Sequence, residues 1–333
     1  MKKKNPLKNV ELPWEKPKSP WEDPRAAQLV KKIMQSPTYK IAEEDIDFLK
    51  SDETRGVRLE LDYLKAELAL REAGVEHTIV VFGSARIRER KTALAELEKI
   101  QKQVAKDHDN PDLLRELRIA ERMVENSRYY DDARAFGRMV ANAGEGPQDN
   151  RLMVMTGGGP GIMEAANRGA FDVGAKTIGL NIHLPHEQFP NPYVSPELCF
   201  QFHYFSIRKL HFFQRAHALV AYPGGFGTLD ELFEILTLVQ TRKTPLMPVV
   251  LVGRKYWERL VDFEFLVDEG TIAPEDLEIF EIVDSAEEAW NSIRKWHLKR
   301  KTKHYELYNG GVKKAKAKNK KKAAANSKKK KES

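Results

Sequence analysis

Apolar residues recur along this chain in two alternating rhythms. A short, nearly unbroken apolar run stands at 78–82 (Thr78-Ile79-Val80-Val81-Phe82), and strand patterns recur at 152–156, 176–182, 198–203, 218–222, 248–252 and 279–283. Runs of this length, without polar alternation, predict strands buried on both faces, as in a parallel sheet. Helical spacing fills most of the intervals between them. The longest interval, 88–144, is charged and mostly helical, interrupted at Asn110-Pro111, and makes a long crossover between the first two strands. This alternation predicts an α/β fold: a Rossmann-like, doubly wound parallel sheet with right-handed crossovers.

The flanks differ from this pattern. Residues 1–24 are rich in Pro, Lys and Trp and read as an extended arm, with Trp14 and Trp21 as its anchors. Residues 25–75 form a helical extension. Ala26, Leu29, Val30 and Ile33 repeat at helical spacing, and a second helix opens at Ser51-Asp52-Glu53 and ends at Gly74. The sheet domain spans 76–300, with a last helix at about 285–300, and residues 301–333 form a basic tail.

Charge sharpens that division. Of the net +7, residues 312–333 supply +10, from eleven lysines and the single acid Glu332, so the rest of the chain carries −3. A stretch of this composition reads as disordered, with weak, nonspecific nucleic-acid binding as its potential role. No apolar run approaches the roughly 18 residues that a membrane span needs, and the charged N-terminus lacks the apolar stretch of a secretory signal. The single cysteine, Cys199, excludes an intrachain disulfide and a cysteine-cluster metal site. A cytoplasmic protein is the expectation. The nine histidines include no pair at metal-ligand spacing with a carboxylate partner, so no metal site is expected, and no cofactor is expected either.

Two glycine-rich loops carry the chemistry. Gly157, Gly158, Gly159 and Gly161 follow the strand at 152–156; Gly224, Gly225 and Gly227 follow the strand at 218–222. Such loops expose backbone N–H groups at a helix N-terminus, where the dipole favours an anion. The other reading of the first loop is a plain strand-to-helix turn needing positive φ. The dinucleotide fingerprint is absent, and the following strand ends in Asn181 rather than an acid. There is no Walker sequence either. A mononucleotide fits better than NAD or ATP.

Thr228 and Glu231 admit two readings. One is a capping box, with Thr228 as N-cap and Glu231 three residues on. The other sets Glu231 beside the phosphate cradle, where a carboxylate is useful only if positive charge develops. Cleavage of an N-glycosidic bond does this, because the ribose becomes oxocarbenium-like. A carboxylate about 4 Å from that charge, at an effective dielectric of about 20, contributes roughly 4 kcal/mol, or about a thousandfold in rate. Arg208 and Lys209 open another helix, as solvated charges or as ligands of phosphate or base.

Together, GGGPGIMEAANRGA at 157–170, FSIRKLHF at 205–212 and PGGFGTLDEL at 223–232 resemble the Lonely Guy family of nucleotide phosphoribohydrolases, often mislabelled as lysine decarboxylases. The family pattern P-G-G-x-G-T-x-x-E falls on Pro223, Gly224, Gly225, Gly227, Thr228 and Glu231, and its Arg-Lys pair on Arg208 and Lys209. The resemblance covers about residues 77–300, closer to the longer bacterial members than to the short plant type. It implies an N-glycosidase of the AMP nucleosidase or cytokinin-activating kind. Such an enzyme cleaves AMP or N6-modified AMP to free base and ribose 5-phosphate. It implies catalysis by Arg208 and Glu231, ribose contacts from Glu164, nucleotide contacts from Ser84 and Arg86, no metal, and a homodimer or higher oligomer. For Glu164, a first-turn acid favoured by the helix dipole is the alternative. A pyridoxal decarboxylase fits poorly, since no His-Lys dipeptide is present. The competing function is a non-catalytic nucleotide or single-stranded nucleic-acid binding protein, because the Gly83-Ser84-Ala85-Arg86 turn loosely resembles DNA-uptake single-strand binders.

Overall fold

The computed structural model describes residues 12, 15–185 and 189–309. The lysine-rich segment, Trp14 and His186 therefore lie outside the described residues. Two compact units divide at Leu61/Asp62. The first holds helices α1 (Ala26–Met34) and α2 (Ile46–Lys50) and the start of α3 (Arg55–Glu72). In it, Asp45 caps α2 by accepting from the Phe48 N–H. Trp21 is 86% exposed, so the expected anchoring of the arm by this tryptophan is not found.

The second unit runs in chain order through β1 (His77–Phe82), α4 (Arg90–Val104), α5 (Pro111–Asn126), α6 (Arg128–Ala141), β2 (Leu152–Thr156) and α7 (Ile162–Phe171). It continues with β3 (Ile178–Ile182), β4 (Cys199–Phe202), α8 (Phe205–Gln214), β5 (Ala216–Ala221) and α9 (Phe226–Gln240). Last come β6 (Val249–Val252), α10 (Arg254–Leu260), α11 (Phe263–Asp268), β7 (Phe280–Val283) and α12 (Ala286–Arg300). Asn110 caps α5, and Pro111 occupies its first turn, where no N–H is missed.

The seven strands form one parallel sheet in the order β4-β3-β2-β1-β5-β6-β7. This is the doubly wound α/β fold that the strand pattern predicts. Alternate side chains of β1 serve opposite faces, as a period of two requires. Ile79 and Val81 join Tyr130 and Phe136 of α6, Ile162 of α7 and Ile293 of α12. Val80 and Phe82 join Leu70 of α3, Phe212 of α8, Leu232 of α9 and Trp257 of α10. The chain builds outward from β1 to β4, then returns to lay β5 against the other side of β1. That reversal makes a crevice at the carboxyl ends of β1 and β5, the usual ligand position in such sheets.

Candidate active site

Three loops meet at this crevice and are stitched by backbone bonds. Tyr222 N–H donates to the Phe82 carbonyl at 2.9 Å, Ser84 N–H to the Pro223 carbonyl at 2.9 Å, and Ile162 N–H to the Ser84 carbonyl at 3.1 Å. Gly161 has φ +75°, and a Cβ there would lie 2.3 Å from the Ser84 carbonyl oxygen. Gly158, at φ +69°, is crowded in the same way by the Asn181 side chain, 1.9 Å from where a Cβ would fall. These two glycines are required by the protein itself.

Gly225 and Gly227 are different. Neither has positive φ, and a Cβ on either would meet nothing within 4 Å. Both are exposed, beside the exposed Phe226, at the start of α9. Backbone packing gives no reason for glycine at these positions.

The capping-box reading of Thr228 fails. Leu229 N–H donates to the Gly225 carbonyl at 3.1 Å, so Gly225 is the N-cap and α9 begins at Phe226. Thr228 is buried inside the first turn, its hydroxyl against Gly224, and Glu231 lies a turn deeper, out of reach of any cap. The N-cap therefore falls three residues earlier, at Gly225, than the capping-box reading places it.

Glu231 is 3% exposed and points to α8. Its Oε1 accepts from Arg208 Nη2 at 3.3 Å, across 23 residues of sequence. Its Oε2 and Arg208 Nε are buried and find no partner among the described residues. Burial raises the Glu231 carboxyl to about 7, against the pull of Arg208 and then Lys209. Burial also lowers Arg208, which still keeps its charge. The Arg208 guanidinium lies 5.0 Å from the Phe205 ring and 5.5 Å from the Phe212 ring. The pair is thus a buried acid and a stacked cation with unused hydrogen-bonding capacity on both partners.

Residues 163–293, which include both members of the pair, match a protein family described as "Possible lysine decarboxylase". The probable cytokinin riboside 5′-monophosphate phosphoribohydrolase LOGL3 of Oryza sativa subsp. japonica is 26% identical over 155 residues, 43% of this chain and 68% of that protein. The cytokinin riboside 5′-monophosphate phosphoribohydrolase LOG3 of Arabidopsis thaliana is 27% identical over 147 residues, 43% of this chain and 67% of that protein. Over this stretch the chain is similar to Lonely Guy proteins. Among solved structures, the X-ray structure of TM1055 is similar at 20% identity and a TM-score of 0.39, covering 66% of this chain and 99% of that one.

The other residues of the Lonely Guy pattern are dispersed around the pair. Lys209 turns away to the outer side of α9, where Nζ meets Asp230 at 2.8 Å and Glu234 at 2.7 Å. Ser84 Oγ accepts from the Arg86 N–H at 3.1 Å, which leaves the Arg86 side chain exposed. Glu164, in the first turn of α7, accepts from the Tyr130 hydroxyl at 2.6 Å. Gly157 and Gly159 rest near the Met163 side chain.

Two supporting groups escape the sequence reading. Asn167 receives the Thr156 hydroxyl at 2.7 Å and the Asn191 amide at 3.0 Å on Oδ1, and donates from Nδ2 to Thr177 at 2.6 Å. Thr156 and Asn191 in turn hold the first loop, through the Gly158 N–H at 2.9 Å and the Gly159 carbonyl at 3.0 Å. The second group clamps α8. Asp62 accepts from the His203 and Tyr204 N–H groups, both at 3.0 Å, at the helix start. His211 Nε2 lies 3.1 Å from the Tyr63 carbonyl, and Arg215 pairs with Glu67 at 2.6 Å. His211 is therefore a buried support of α8.

Proposed function

We propose that this protein hydrolyses the N-glycosidic bond of nucleoside 5′-monophosphates, AMP or N6-modified AMP, to free base and ribose 5-phosphate. The observation that carries the reading is the buried Glu231 carboxylate, facing Arg208 with one oxygen unpartnered, beside the exposed first turn of α9. The phosphate docks on the N–H groups of Gly225, Phe226 and Gly227, favoured by the helix dipole. Ionised Glu231 stabilises the cationic sugar and takes a proton from the attacking water. The water oxygen bonds to C1′ as the C1′–N bond breaks, and the proton that Glu231 takes from the water passes on to the departing base. Arg208 holds the nucleotide and neutralises charge on the departing base. The names of the plant relatives support the reaction class. We also infer a homodimer. An open groove of about 760 Å³ runs along α9 between Phe226, Leu229, Phe233 and Leu238, with Phe226 92% exposed beside the site.

The test is incubation with a panel of nucleoside monophosphates and separation of products for free base. Release of base by the wild type, lost in Glu231→Gln, is the expected result. Tight nucleotide binding without release of base would leave a nucleotide receptor in place of the hydrolase.

A further inference from the structure

The opposite end of the sheet gathers histidines from four parts of the chain. His77 opens β1, His217 lies in β5, His297 in α12, and His304 in the turn that follows α12. The His77 and His217 rings stack at 3.4 Å, His217 lies 4.9 Å from His297, and His297 4.2 Å from Tyr308. His217 and His297 are spoken for: Nδ1 of His217 meets the Tyr308 hydroxyl at 3.1 Å, and His297 bridges Thr302 at 2.7 Å and the His217 carbonyl at 2.9 Å. His77 is not. Only 9% exposed, it has a buried Nε2 with no partner among the described residues.

We propose that Glu76, His77 and His304 form a binding site for a divalent transition-metal ion of the zinc class. One ligand atom from each lies within 4.8 Å of the others. His304 Nε2 and Glu76 Oε2 are 3.1 Å apart. Two ligands at Zn–N and Zn–O bond lengths stand about 3.3 Å apart on a tetrahedron, so this edge already fits. Bringing in His77 closes a gap of at most about 1.5 Å. His304 is also oriented for the task. Its Nδ1 lies 3.3 Å from Glu306 Oε1, which turns Nε2 toward the other two ligands, the carboxylate–histidine arrangement that supports metal sites. Glu76 is 41% and His304 27% exposed, so an ion and a completing water can enter. Lys303 and Arg151 act on the neighbouring groups and oppose a cation, but Arg151 is occupied by Asp149 at 2.7 Å. Two nitrogens and one carboxylate select zinc, cobalt, nickel or copper over magnesium or calcium. The ion would tie the turn after α12 to the first strand, about 17 Å along β1 from the glycine loops.

The test uses the full-length chain without a histidine tag, stripped with chelator and titrated with zinc chloride by calorimetry. Cobalt(II) serves as a spectroscopic probe and magnesium as a control. One equivalent of zinc should bind, raise the melting temperature and compete with a tetrahedral cobalt spectrum. Glu76→Gln and His304→Gln, both at partly exposed positions, should weaken binding more than about tenfold, and Glu306→Ala by about tenfold. A wild type that takes up no zinc overturns the site. So do Glu76→Gln and His304→Gln proteins that bind zinc as tightly as the wild type.

Discussion

Glu231 sits where its own ionisation is disfavoured until positive charge arrives. Its carboxyl stands at about 7 against an ordinary 4.5, with burial as the main cause. The proposed chemistry uses the carboxylate, so kcat/KM should rise with pH through an apparent value near 7, measured as base release across pH 5 to 9. Stability runs the opposite way. A group raised on folding stabilises the protein fully below its unfolded value, near 4.5, and loses that contribution as pH climbs through about 7. Glu231→Gln should therefore lose less melting temperature than the wild type between pH 5 and pH 8. The same variant should lose about a thousandfold in turnover, the size of one carboxylate acting on a unit charge. Unchanged turnover in a folded Gln protein would reduce Glu231 to a packing residue. Glu231 and Arg208 were legible in the sequence because motif residues are local in the chain. The helix start was not, because the N-cap falls at Gly225 rather than at Thr228, and Gly225 carries no side chain to announce a cap.

At the scale of elements, strands were legible and supports were not. A strand buried on both faces reads as an apolar run, as β1 and β6 do, and every strand pattern marked in the sequence overlaps a strand. The clamp on α8 joins residues 142 apart, and no local pattern announces that Asp62 will cap Tyr204. The pairing of Glu67 with Arg215 carries a directional test. The guanidinium beside Glu67 holds its carboxyl below the usual range. That contribution is present above the ordinary carboxylate value and is lost as pH falls through the lowered one. Glu67→Ala should cost about 1–2 kcal/mol in chemical denaturation and lower kcat by loosening Arg208. The Asn167 network is similarly invisible in sequence, because its partners come from β2, the β3 approach and the loop at Asn191. Asn167→Ala removes its hydrogen bonds to Thr156, Thr177 and Asn191, each of which keeps one other partner, at about 0.5–1.5 kcal/mol for each bond lost. A denaturation midpoint equal to the wild type would refute that account.

For the molecule as a whole, the exposed Phe226 and Phe233 along α9 mark the surface where a second copy is expected. Sedimentation of Phe226→Asp/Phe233→Asp protein should show a monomer where the wild type is a dimer. Among the described residues no helix is long and apolar enough to cross a membrane. Helix α3 spans the boundary between the two compact units, and its second half, from Asp62, belongs to the sheet unit. An engineer who trims the chain to residue 76, where the sequence pattern sets the start of the sheet domain, would discard the hand that grips α8. Such a shortened protein should express poorly and release little base, whereas a cut just before Asp62 spares Asp62, Tyr63, Glu67 and Leu70.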